Sequence, residues 1–213
     1  MRKLLWLFFV IVMNVTYGYG VHEDHPYEFL MKKYGYKFSE RYEISSSPMG
    51  VGKTYSGSIK KSAFRIRNNY DLSNLHGWQA TGITRILSLG TLYSWATDID
   101  IYDTRGVKIA FIDGSFATLE SARFDLYEYD EAGKSKQIGI AYADANFTRF
   151  NIMTPNKQYS IADLQRNINE NYWTVTVNYP AEIDDRLLRI FAGFIVDYQD
   201  KFKVIRDEAQ KTG

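Results

Sequence analysis

Two groups of side chains in this sequence have types and spacings that could do chemistry. The first is acidic, Asp98, Asp100 and Asp103. Such oxygen ligands can hold a hard divalent cation or work as paired carboxylates. Asp98 and Asp100 share one strand face, while Asp103 falls in the turn Asp103-Thr-Arg-Gly106, so solvated strand residues give the same pattern. The second group is basic: Lys53, Lys60, Lys61, Arg65 and Arg67. Arg65 and Arg67 alternate with Phe64 and Ile66 and are expected to point out of a strand. A basic outer face would bind an acidic ligand, an anionic membrane lipid among them. A plain solvated face has the same composition.

Other chemistries lack material. The chain has 213 residues and no cysteine, which rules out disulfides, thiolate nucleophiles and zinc–cysteine sites. It has 3 histidines. His22 and His25, with Asp24, could hold copper or zinc near a chain end, where a frayed tail fits the residues as well. His76 precedes Gly77 in a loop. No catalytic residue, metal or cofactor is therefore expected. Ser47-Pro-Met-Gly-Val-Gly-Lys-Thr54 resembles a phosphate loop, but Ser47 stands where the first glycine belongs, and Gly57-Ser58 and a strand follow where a helix should begin. A glycine-rich hairpin turn explains it without a nucleotide.

An address label opens the chain. Arg2 and Lys3 precede the apolar run 4–13, and Gly18 and Gly20 supply small residues for cleavage before Val21, the form of a secretory signal peptide. No later segment is long and apolar enough to span a membrane. Of 26 basic and 25 acidic side chains, residues 1–20 hold only Arg2 and Lys3, leaving 24 against 25 and a net charge of −1. That balance gives no support for nucleic-acid binding. The absence of cystines leans towards a periplasmic or secreted bacterial protein. Asn146-Phe147-Thr148 is a formal glycosylation sequon that matters only for another source.

The elements that must position these residues are strands and one helix. Residues 21–36 form a polar, aromatic lead-in, with Tyr27–Met31 as one or two helical turns. Beyond it the chain reads strand, turn, strand: Ile99 and Ile101 before the Asp103 turn, 107–112 before Asp113-Gly114, then 123–129 before Asp130–Gly133. Ile138, Ile140 and Tyr142 follow, then Phe150 and Ile152 before Thr154-Pro155-Asn156. In 172–179, Trp173, Val175, Val177 and Tyr179 face one way and Thr174, Thr176 and Asn178 the other. Regular short strands mean an antiparallel meander, sandwich or barrel. Residues 74–91 and 161–171 fit neither strand nor helix cleanly. The 17 tyrosines and 4 tryptophans suit sheet faces or a ligand groove.

The helix lies near 184–204. Between Leu187 and Val196 eight of ten residues are apolar, with no polar face until Asp197. A helix apolar nearly all round is buried, and ten residues fall short of the about 20 that a bilayer needs. Asp184 caps its start, and Lys201, Lys203 and Arg206 suit its other end. Gly193 is either a mild helix defect or a place where a strand comes close.

Ile101-Tyr102-Asp103-Thr104-Arg105-Gly106-Val107-Lys108-Ile109, its echo Leu126-Tyr127-Glu128-Tyr129-Asp130, and the strand-then-apolar-helix ending Asp184–Asp200 resemble the LURP-one-related proteins and phospholipid scramblases. Both belong to the Tubby C-terminal-like superfamily. The resemblance covers roughly residues 37–205 and implies a mainly β fold, a closed antiparallel barrel of about twelve strands around a central apolar C-terminal helix. An apolar helix would fill the lumen, which argues against a lipocalin-like pocket. In the Tubby proteins basic residues on the barrel exterior hold phosphoinositide head groups. The scramblases' cysteine-rich and calcium-binding segments have no counterpart here, and the signal peptide departs from the family's intracellular setting.

The expected organisation is a signal peptide at 1–20, a lead-in at 21–36, a single barrel domain at 37–207 and a tail at 208–213. The expected function is that of an exported, non-enzymatic barrel whose basic outer face, Lys53, Lys60, Lys61, Arg65 and Arg67, binds an anionic lipid or another acidic ligand. A metal-assisted hydrolase built on the strand aspartates and a protein-interaction module are the alternatives.

Overall fold

The computed structural model describes residues 25–36, 39–46, 53–62, 67–85, 97–118 and 121–212. Residues 1–20, where a signal peptide is expected, Val21, His22, Asp24, the glycine-rich stretch 47–52 and Arg65 lie outside them. The strands are β1 (Tyr27–Tyr36), β2 (Ser39–Ser46), β3 (Thr54–Ser62), β4 (Asn69–Asn74), β5 (Gly77–Thr84) and β6 (Ile99–Asp103). They continue with β7 (Lys108–Thr118), β8 (Ser121–Tyr129), β9 (Ser135–Ala143), β10 (Arg149–Met153), β11 (Ser160–Asn167) and β12 (Tyr172–Val177). A 3-10 turn (Pro180–Glu182) leads into one helix, α1 (Asp185–Thr212).

Consecutive strands pair antiparallel all the way round, and β1 pairs with β12 from Tyr27↔Val177 to Met31↔Trp173. The sheet is a closed barrel without edges for other chains to pair with. β1 corrects the reading of Tyr27–Met31 as helical turns and, for residues 27–36 of the expected lead-in 21–36, the reading of a segment outside the barrel. Leu30 and Met31 side by side blur the period of two, and Phe29 and Met31 nevertheless face the core at 1% and 0% exposure. The final closing pair of the barrel is thus its least patterned strand. Of the stretches 74–91 and 161–171, Gly77–Thr84 forms β5 and Ser160–Asn167 forms β11, while residues 86–91 lie outside the described ones.

Several hairpins share one construction. The carbonyls of Asp103, Asp130, Asp144 and Thr154 accept from the N–H three residues on, at 3.0, 2.9, 3.0 and 2.8 Å. The donating residue has positive φ each time: Gly106 77°, Gly133 75°, Phe147 52° and Lys157 58°. Glycine takes that conformation at little cost, and the turns at Gly106 and Gly133 follow the sequence signal. Asp113-Gly114 is a correction. The dipeptide lies inside β7, paired with Asp125 and Phe124, so the strand continues through it. Gly114 occupies an inward, buried position opposite Phe124.

β6, β10 and β12 alternate between buried and more exposed positions as the pleat requires, β12 reading intermediate, buried, intermediate, buried throughout. The exterior carries Asp100, Lys108, Arg123, Asp125, Arg149 and Asp163 as ion pairs. A barrel spanning a membrane would show an apolar band there instead.

The lumen is filled by α1. Leu187, Leu188, Ile190, Phe191, Ala192, Phe194 and Ile195 are fully buried. Phe124 of β8 meets Phe191 and Phe194 edge-on, with centroids 5.6 and 5.4 Å apart, a geometry that adds to area burial. Burial continues beyond the apolar decad, through Asp197 and Gln199, both 7% exposed. The Trp173 indole N–H donates to Gln199 Oε1 at 2.8 Å. Gly193 faces β3: a Cβ there would stand 2.6 Å from Ile59 Cδ1, so the glycine marks a close strand approach.

Asp184 caps α1 as expected. Its Oδ1 accepts from the Arg186 N–H at 2.8 Å and its carbonyl from the Leu188 N–H at 3.0 Å. The Asp184 N–H donates to Glu128 Oε1 at 2.7 Å, and the Tyr27 hydroxyl donates to Asp185 at 2.7 Å. These bonds pin the helix start to β8 and β1. The helix runs to Thr212, past the expected end near 204.

Candidate binding surface

Antiparallel alternation decides where each basic residue points. In β3 the buried Ile59 sets the inward parity, so Lys60 points out and Lys61 in. Lys60 is exposed and lies opposite Arg41 of β2 and Asp71 of β4. Lys53 is also exposed, with Nζ 3.8 Å from Glu170 and 4.4 Å from the Tyr172 ring centre. Arg67 is exposed at the start of β4. The expected group therefore does not form one surface among the described residues, and Lys61 leaves it altogether.

Around Lys60 the outer face holds cations that the sequence reading missed. Arg41 donates to the Tyr55 hydroxyl at 3.1 Å, and its guanidinium lies 5.9 Å from that ring. It also approaches Glu43 at 3.8 Å. Lys32 of β1 lies 5.5 Å from the Tyr34 ring. Lys32, Arg41 and Lys60 thus sit on three adjacent strands with Tyr34 and Tyr55, both more than a third exposed. Glu43 and Asp71 are the acidic residues among them. The signal for Arg41 was its cross-strand register, which appears only once the strands are paired.

Lys61 instead belongs to a half-buried cluster around the buried Asp197 at the far end of the barrel, away from the helix start. Its Nζ lies 2.7 Å from Asp197 Oδ2 and 3.1 Å from Glu40 Oε2. The Tyr42 and Tyr70 hydroxyls donate to Asp197, each at 2.8 Å. Lys33 joins Glu40 at 2.8 Å and Asp197 at 3.5 Å. Two ammonium groups thus face two carboxylates, so the cluster is neutral and its hydrogen bonds are shared. Burial alone would raise the Glu40 carboxyl, but hydrogen bonds from Lys33 and Lys61 outweigh it and hold the group at about 2. Burial would lower the Lys61 ammonium, and Asp197 outweighs it and raises it. Burial, then Asp197, pushes the Tyr42 and Tyr70 phenols far up, so both remain donors.

The aspartates separate in the same way. Asp98 and Asp100 do share a face, where Arg85 meets them at 3.7 and 2.6 Å. Lys108 reaches Asp100 at 2.6 Å, which leaves that carboxylate neutralised in place. Burial, then Asp113, raises the Asp98 carboxyl. Asp103 is the last residue of β6, 5% exposed and turned to the other face. Its Oδ1 accepts from the Arg105 and Val107 N–H groups, each at 2.9 Å, which makes it a turn residue with a structural task. Among the described residues no three His, Cys, Asp or Glu side chains converge as metal ligands. His25 and His76 are both exposed.

No known protein-family model matches the chain, and no curated protein matches it.

Proposed function

We propose that the protein is an exported, non-catalytic barrel, a Tubby-like relative of the LURP-one type, that binds anionic lipid or another acidic ligand on the outer face of β1–β3. The observation that carries this reading is Lys60 standing directly across from Arg41, with Lys32 one strand further, on the outside of a barrel whose lumen is filled. A ligand has to use the exterior. Guanidinium and ammonium groups beside tyrosine hydroxyls suit phosphate oxygens. The twelve strands around a C-terminal helix are the architecture that the family resemblance implies.

Each Lys or Arg near an anionic surface contributes about 1 kcal/mol, so the face should hold vesicles weakly. The chain without residues 1–20 is expected to cosediment with phosphatidylserine vesicles at low salt and not with phosphatidylcholine vesicles. Association should fade as the screening length falls from about 10 Å at 0.1 M to about 3 Å at 1 M salt. Replacing Lys32, Arg41 and Lys60 by Gln should remove it without lowering the melting temperature by more than a few degrees. Unchanged binding in that variant, or none by the wild type, overturns the reading. Export has its own check: Edman sequencing of exported protein is expected to begin at Val21, and a start at Met1 would refute cleavage.

A further inference from the structure

At the end where α1 begins, the turns after β8 and β10 and the Pro180–Glu182 segment border an open cleft of about 460 Å³. That lies within the range of about 300–1,000 Å³ for small-molecule sites. The cleft is separate from the β1–β3 face. Its walls are set by internal bonds: the Lys134 N–H donates to Asp130 Oδ1 at 2.8 Å, the Gln158 N–H to Thr154 Oγ1 at 3.1 Å, and the Glu182 N–H to the Tyr179 carbonyl at 3.1 Å. A site formed by such turns does not have to be ordered by its ligand.

The lining demands a particular kind of ligand. Glu128 spends Oε1 on the Asp184 N–H, which leaves its other oxygen as an acceptor in a partly desolvated position. Burial raises its carboxyl above the usual range. Burial and then the neighbouring Glu182 carboxylate raise the Tyr159 phenol, and Glu182 offers acceptor capacity at the rim. Asn156 is the opposite case. Its Oδ1 accepts from Thr154 Oγ1 at 2.7 Å and the Gln158 N–H at 3.2 Å, which leaves the amide NH₂ as two donors. The Tyr159 ring supplies a flat apolar wall and is steadied by Tyr179, 4.6 Å away. The ligand must therefore donate to carboxylates, accept from an amide and lie against an aromatic ring. Glu128, Asp130 and Glu182 against Lys136 give the lining a charge of −2, which disfavours phosphates, sulfates and acidic lipids. A lipid tail would leave the polar groups unpaired.

We propose that this cleft is a binding site for an uncharged saccharide, one or two sugar units in contact. A sugar hydroxyl both donates and accepts, and vicinal hydroxyls match planar carboxylate and amide groups. The C–H face of a pyranose ring covers a tyrosine.

The test is a ¹H–¹⁵N NMR titration of the chain without residues 1–20. The probes are neutral trisaccharides of glucose, N-acetylglucosamine and mannose, their sulfated forms, and arginine. At least one neutral trisaccharide is expected to bind with a Kd of about 1 mM or tighter, shifting amides in 128–138, 154–159 and 181–182. Sulfated forms should bind about tenfold more weakly, as should the variant Tyr159→Ala. Asn156→Asp, which keeps the turn's acceptor and removes the two donors, should weaken binding while folding normally. Lys60→Gln, outside the cleft, should weaken vesicle association and leave the sugar-induced shifts as in wild type, so loss of vesicle binding and loss of sugar binding separate cleanly. No shifts at about 10 mM of any trisaccharide, equal binding by Asn156→Asp, or stronger binding of arginine than of any sugar would overturn the proposal.

Discussion

Phe194→Asp is expected to leave the domain unfolded without denaturant. The side chain is 0% exposed at the centre of the barrel, 5.4 Å from the Phe124 ring and 4.6 Å from the Tyr198 ring. Removing such a ring costs about 3–5 kcal/mol. An unpaired carboxylate in its place costs several more, and it would lie one helical turn from Asp197, close enough for like charges to repel. A whole domain has only about 5–15 kcal/mol to lose. Lys53→Ala is the control. It gives up an exposed pair with Glu170 and a ring contact with Tyr172, a change expected to stay within about 0.5 kcal/mol. Thermal melting followed by circular dichroism checks both. A wild-type melting temperature for Phe194→Asp would mean that α1 is not what the strands fold around.

The helix was legible because apolar residues on every side leave it no solvent face, and the barrel because β12 alternates without a break. What was hidden lay where a local rule competes with tertiary pairing. Asp113-Gly114 has the residues of a hairpin, yet pairing with Asp125 and Phe124 carries it through the middle of β7. β1 shows no clean alternation, and only β12 beside it makes it a strand. Lys60 and Lys61 look equivalent in sequence. The parity of Ile59 was the signal that they point to opposite faces, and its use requires knowing that β3 continues to Ser62. By sequence Asp197 marks the end of the buried stretch, because a carboxylate is seldom buried without partners. Its partners come from β1, β2, β3 and β4. No local reading joins residues 155 and 136 positions apart.

That cluster is where the second large effect is expected. Lys61→Met should destabilise the barrel by about 3 kcal/mol, near the low end of the roughly 3–5 kcal/mol for breaking a buried ion pair. The low end applies because Lys33 remains 3.5 Å from Asp197 and both tyrosine hydroxyls still donate to it. Asp197→Leu should also destabilise, since it strands the buried Tyr70 hydroxyl. The double variant should cost less than the two singles together, with a coupling of about 0.5–3 kcal/mol in urea melts. Strict additivity would mean that the pair contributes nothing of its own. The pH dependence has a definite sign. Glu40 titrates at about 2 in the folded chain against 4.5 ordinarily. Its contribution is therefore present above pH 4.5 and is lost as pH falls from 4.5 towards about 2. Lys61 is raised above 10.5, so its share is complete below that pH and is lost only as pH rises beyond it. The cluster's contribution should accordingly be flat from about pH 5 to 10. Wild type should lose more stability than Glu40→Gln between pH 5 and pH 2.5, the interval in which only wild type has this carboxylate to protonate. Parallel losses in the two proteins would show that Glu40 is not held by Lys33 and Lys61 in solution.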